Sequence, residues 1–172
     1  MGRGEPKDRN KLIRAVVKAG RWLADPSSHT VTAEVLARPD FLNLPGELLD
    51  RGLTGKLLIS PQGEQRSVRS FVEFHKGAAT FPWQSQAEWI GLQLARRTGL
   101  ERDTAVRAAR SVFRSDMYRA ALQGSGMDVP GASSKVEGAL DVETSVASAL
   151  GRLTLSHNQF FDRRVFDPDL PQ

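Results

Sequence analysis

The chain contains no cysteine. That excludes disulfides, thiolate metal sites, a cysteine nucleophile and lipid attachment at a thiol. Histidine is scarce as well, with three copies in 172 residues. None of them has a second histidine at ligand spacing, so no metal site is expected, not even at His75 beside Phe74. No stretch approaches the roughly 18 uninterrupted apolar residues of a membrane span, and the opening MGRGEPKDRNK lacks the apolar core of an export signal. As written, the chain is expected in the cytoplasm, and in the periplasm if Met1 is not the true start of the protein. A nucleophile elbow (Gly-x-Ser-x-Gly), a His-Glu-x-x-His helix, a Gly-Lys-Ser/Thr phosphate loop and a dinucleotide fingerprint are all missing. The sequence therefore nominates no catalytic residue and no cofactor, and an enzyme is not expected.

What is present is a near-average globular composition, 40% hydrophobic and 26% charged. A chain of this length, folded alone, buries roughly two thirds of its unfolded surface, enough for one core. The net charge is +4 and the pI about 9.8, with arginine dominating. A basic balance suits anions or nucleic acid, but the charges lie in mixed stretches such as RRTGLERD without a long like-charged run. Solvated helix faces account for that pattern better than a nucleic-acid surface. The arginines of RAARSVFRSDMYR fall on more than one helical face, so a single phosphate-tracking stripe is not expected.

Periodicity and punctuation predict a mostly α chain with minor β. Leu12, Ile13, Val16, Val17, Ala19 and Leu23 recur at helical spacing over 8–23, with Asp8 as cap and Asp25-Pro26 as stop. Trp22 is expected to pack under the next helix, and His29 to be an exposed turn residue before a short helix at 31–37. A third helix starts at Pro45 with Glu47 in its first turn, and is closed by Gly52 and Gly55. Residues 56–60 read as extended, 61–64 as a turn and the polar run to Ser70 as loop. Asp103 is expected to cap a helix reaching Arg110. Another spans 115–122, stopped by Gly124 and Gly126. The segment VPGASS reads as linker, 135–155 as loop with one helix, and Val165-Phe166 as a short extension. By domain this becomes a flexible N-terminus (1–10), a helical core (11–128), and a linker-like segment with a C-terminal tail (129–172).

The densest stretch is 71–100, FVEFHKGAATFPWQSQAEWIGLQLARRTGL, which holds two of the three tryptophans and one of the three histidines. Ser85-Gln86-Ala87-Glu88 has the form of a capping box, predicting a helix from Ser85 to Arg97 with Gly99 as stop. Phe81, Pro82 and Trp83 set the entry to it. A helix N-terminus offers free N–H groups and partial positive charge. His75, Lys76, Gln84 and Gln86 lie around that start and are the candidate ligand-binding residues for a small oxyanion. Trp83, Ser85, Glu88 and Trp89 are read as structural; the two tryptophans are six residues apart, off a common face, and suit core packing better than an aromatic cage.

FHKGAATFPWQSQAEWIGLQLARRTGL, preceded by ARPDFLNLPGELLDRGLTGKL and followed by VFRSDMYRAAL, VPGASSKVEGAL and FFDRRVFDP, resembles the C-terminal part of the nitrate/nitrite/bicarbonate-type solute-binding proteins of ABC transporters. It is similar also to soluble nitrate/nitrite sensors on the same fold. The resemblance runs in one order from about Lys11 to Pro168. It implies the C-terminal portion of a periplasmic-binding-protein-like (type II) α/β two-lobed fold, with an anion held between lobes. Two places depart from the family pattern: Asp162-Arg163-Arg164 stands where the family turns through a glycine after FFD, and Arg97-Thr98 where relatives carry an Arg-Trp-Gly ending. The implied function is a partial or truncated solute-binding protein that binds a small oxyanion, or contributes to such a site, and partners an ABC permease or a regulatory protein. The alternatives are a protein-interaction or regulatory module derived from a sensor, and, on pI alone, an Arg-rich nucleic-acid binder.

Overall fold

The computed structural model describes residues 6–68 and 71–170. Its helices are α1 (Pro6–Leu23), α2 (His29–Leu36), α3 (Gly46–Thr54), α4 (Gln84–Thr98), α5 (Arg102–Val112) and α6 (Ser115–Leu122). The strands are short: β1 (Lys56–Leu58) with β2 (Gln65–Ser67), and β3 (Thr144–Ser145) with β4 (Thr154–Leu155), each an antiparallel pair. The chain is thus mostly helical with minor β. It divides into two compact units, Val16–Ala79 and a second made of Met1–Ala15 with Thr80–Gln172. Of the flexible N-terminus expected over 1–10, residues 1–5 lie outside the described residues, while Pro6–Asn10 are the first turns of α1. Asp8 is therefore inside the helix, its carboxylate 3.0 Å from Lys11 Nζ, instead of capping it.

In the unit Val16–Ala79, α1 buries Val17 and Gly20. Two positions past Gly20 a side chain points away from that face, and Trp22 is 50% exposed instead of packed under the next helix. After α1 the Asp25 carboxylate accepts hydrogen bonds from the Ser27 N–H (2.9 Å) and hydroxyl (2.8 Å). The 3-10 turn it starts at Pro26–Ser28 runs straight into α2, so the helix begins two residues before Val31 and His29 is its half-buried first residue. Pro45 stands at the N-cap of α3, one place ahead of the first helical position. Gly55 ends that helix in the left-handed conformation, φ 69°, and a Cβ there would fall 2.2 Å from the Val68 carbonyl oxygen. Gly52 is internal to the helix. The polar run read as loop contains β2, whose residues are all exposed and so carry no alternating apolar signal. Backbone pairing alone defines it, in the register Lys56↔Ser67, Leu57↔Arg66 and Leu58↔Gln65. Arg69 and Ser70, the end of that run, lie outside the described residues.

In the other unit, α4 packs on α5. A Cβ at Gly91 would stand 2.8 Å from Ala109 Cβ and 2.9 Å from the Ala105 carbonyl oxygen, so the two backbones approach closely here because Gly91 has no side chain. The cap of α5 is Glu101 and not Asp103: its carboxylate accepts the Asp103 N–H at 2.8 Å and the Thr104 N–H at 2.7 Å. Phe81, Trp83, Ala87, Leu92, Ala95, Ala121, Leu122, Leu155 and Phe166 are buried. The VPGASS segment is held down, with Pro130 fully buried. Arg119 donates to the carbonyls of Pro130 (2.8 Å), Gly131 (3.0 Å) and Ala132 (2.5 Å) and to the Ser133 hydroxyl (3.0 Å). The helix expected within 135–155 does not form. In its place Glu137 bridges to Phe166, Pro130 to Ser148, and the Asp128 carboxylate gathers the Ser148 hydroxyl and the N–H groups of Leu150 and Arg152. The last residues of the tail, 171–172, lie outside the described residues.

Candidate functional site

The start of α4 differs from a capping box. The helix begins at Gln84 with Trp83 at the N-cap and no side-chain cap. The Gln84 N–H is taken by the Ser133 carbonyl at 2.8 Å. Ser85 is fully buried; its hydroxyl donates to Glu137 Oε1 at 2.7 Å and accepts the Lys135 N–H at 3.1 Å. Glu88 does not reach back either, because its carboxylate accepts from Arg110 Nη1 at 2.6 Å. Burial pushes the Glu88 carboxyl above its ordinary value, with the Arg110 charge and hydrogen bond opposing. Starting one residue early makes Ser85 the second helical residue and turns it towards the 133–137 segment.

Around that point Glu137 also pairs with Lys135 Nζ. The ammonium lies 5.5 Å from the Trp83 ring centroid, a cation–π distance. Phe81 meets Trp83 edge-on at 4.8 Å and Tyr118 at 5.4 Å, and Arg119 lies 5.1 Å over the Phe81 ring. Trp89 stacks on Phe160 at 5.2 Å.

The four candidate ligand residues are divided between the units. His75 and Lys76 belong to Val16–Ala79, Gln84 and Gln86 to the other. His75 is half-buried at the start of the short 3-10 turn Lys76–Ala78. Burial first, and the Arg21 charge second, push its imidazole below the usual histidine value. Lys76 is exposed and borders a hollow of about 170 Å³ with Leu23, His29, Leu53 and Phe74. Gln86 is exposed on α4.

Gln84 borders a larger hollow of about 510 Å³, together with Arg107, Arg110, Ser111, Arg114, Asp116 and Ser133. Arg107 and Arg110 are one turn apart on α5, and Arg114 follows just past its end. Arg114 and Asp116 form a two-point pair at 2.9 and 2.6 Å, whose hydrogen bonding holds the Asp116 carboxyl at about 2. Arg107 makes a single long contact, 3.3 Å to the Thr104 hydroxyl. By helical spacing the arginines of RAARSVFRSDMYR fall on more than one face. Three of them share one wall, and only Arg119 turns away to the 130–133 carbonyls. Helical spacing joins only Arg107 and Arg110, at i and i+3; Arg114 lies past the end of the helix, and the tertiary structure brings it to the same wall.

Among the described residues no group of three or more metal-ligating side chains comes together, and no helix is long and apolar enough to cross a membrane.

The fold is that of part of a periplasmic solute-binding protein. Over 76% of its length, with a TM-score of 0.66 and 19% identity, the chain matches the crystal structure of the periplasmic nitrate-binding protein NrtA from Synechocystis PCC 6803, of which it covers 35%. In sequence it is 28% identical over 173 residues, 97% of this chain, to the nitrate/nitrite binding protein NrtA of Synechococcus elongatus, of which it covers 34%. No protein-family model matches the chain. The chain is thus similar in sequence to a nitrate/nitrite binding protein, spans about a third of the length of each of these two proteins, and shares part of the fold of the Synechocystis one.

Proposed function

We propose that the chain acts as a solute-binding protein, or as part of one, for a small oxyanion of the nitrate, nitrite or bicarbonate class, by binding and not by catalysis. The observation that carries this reading is the sequence match to a nitrate/nitrite binding protein along 97% of the chain. In this reading Lys76 supplies the positive charge. His75, its pKa lowered by burial, stays neutral near pH 7 and offers a ring N–H. A permease of the ABC type, or a regulatory protein, is the corresponding partner. The compartment is then the periplasm, as for the Synechocystis relative.

Thermal unfolding with nitrate, nitrite and bicarbonate, against chloride at equal ionic strength, tests the reading. A ligand that binds the native state stabilises it by about 2.7 kcal/mol at 100 times its dissociation constant, so the melting temperature rises with anion concentration. Lys76→Met is expected to abolish most of that rise. A melting curve unmoved by millimolar concentrations of all three anions overturns binding by this chain. An unchanged response after replacing His75 and Lys76 together places the anion elsewhere.

A further inference from the structure

We propose that the hollow walled by Arg107, Arg110, Arg114 and Gln84 is a second anion site, suited to a phosphate-type dianion and independent of the nitrate-class reading above. Its charged lining is three guanidinium groups against one carboxylate, that of Asp116. Asp116 is fully engaged by Arg114. Glu88 engages one nitrogen of Arg110, whose side chain is 52% exposed. Arg107, with its one long hydrogen bond, keeps nearly all of its donors. The wall is therefore rich in unspent N–H groups, and the Gln84 amide adds more.

Guanidinium forks match the oxygen geometry of a phosphate group and bind it at two points, which a single lysine cannot do. A dianion gains more from three neighbouring guanidinium groups than a monoanion does, because the attraction scales with charge. A tetrahedral dianion can accept from Arg107, Arg110 and Gln84 together. At about 510 Å³ the open hollow takes a phosphate group with an organic substituent as readily as free phosphate. Both sources present the same chemistry, and the ligand group is the terminal phosphate.

Isothermal titration of the whole chain with inorganic phosphate, and separately with phenyl phosphate, in a phosphate- and sulfate-free buffer tests the site, with sodium chloride at matched ionic strength as the blank. Saturable binding of at least one of them is expected. Free phosphate binding as well as phenyl phosphate identifies the inorganic ion as sufficient; saturation by phenyl phosphate alone identifies a monoester. Arg107→Ala is expected to weaken binding by roughly tenfold or more, from the loss of charge-assisted hydrogen bonds, and Arg107→Lys to retain part of it. Arg107 is exposed, so both variants should melt with the wild type in the absence of phosphate, and their response to nitrate should be unchanged. Heats no different from those of sodium chloride, or an Arg107→Ala variant that binds like the wild type, overturn the proposal.

Discussion

Ser85 shows how far one side chain's role depends on what stands opposite it. Its hydroxyl joins Glu137 and the Lys135 backbone across about 50 residues of chain, in a place sealed from water. Removing it leaves Glu137 short of a donor in the interior, and Ser85→Ala is expected to cost about 1–3 kcal/mol of stability. Ser85→Asp separates this role from capping. At an N-cap, aspartate is the equal of serine. Beside Glu137 it brings a second carboxylate into a buried position, so Ser85→Asp should be less stable than Ser85→Ala in urea unfolding. An aspartate variant as stable as the wild type would return Ser85 to the cap. Ser-x-x-Glu was legible as a local pattern, but both of its members are claimed by distant partners, Glu137 and Arg110, that local spacing cannot reveal.

Among the elements, α4 and α5 are joined by contact where Gly91 passes Ala105 and Ala109. Gly91→Ala raises intrinsic helix propensity by about 1 kcal/mol, yet it drives a methyl group into neighbouring backbone. The clash is expected to win, with a net loss of about 1–3 kcal/mol in chemical denaturation. A stabilised variant would show that the helices can move apart freely. The helices themselves were largely legible: α6 spans its expected 115–122, and α1 and α3 come within two residues of expectation at each end. β2 was not legible, because an exposed strand with polar side chains has only its backbone pairing to mark it. The segment VPGASS reads as linker for a related reason. Small residues and proline signal a loop, but not that Arg119 donates to three of its carbonyls.

For the molecule as a whole, stability against pH follows from the perturbed carboxylates. Asp25 is lowered by hydrogen bonds from Ser27, Glu101 by those from Thr104 and Asp103, and Asp116, to about 2, by Arg114. At Asp128 burial pushes upward but is outweighed by the N–H groups of Leu150 and Arg152 and the Ser148 hydroxyl. A carboxyl depressed on folding stabilises above its unfolded pKa, and that contribution is lost as pH falls through the folded one; for Asp116 the window runs from 3.8 down to about 2. Glu88 has the opposite sign. Raised by burial, it contributes below its ordinary 4.5 and loses that contribution as pH rises through the folded value. With four lowered groups against one raised, the chain should lose stability on acidification below about pH 4. The urea midpoint followed against pH checks this: Asp116→Asn should flatten the lower part of the fall and Glu88→Gln should steepen it. A midpoint that rises on acidification would reverse the balance.

By itself the sequence determined the helical class, the positions of most helices and the similarity to a nitrate/nitrite binding protein, since periodicity, helix stops and ordered motifs are all written along the chain. The tertiary structure alone decided which side chains meet. It replaced the Ser85 cap with a buried contact to Glu137, and it gathered Arg107, Arg110 and Arg114 into one wall. It also divided the four expected anion contacts, two to each compact unit. The physical reason is the same in each case: hydrogen bonds and charges act over a few ångströms of space, and folding brings within that range residues that no local pattern connects.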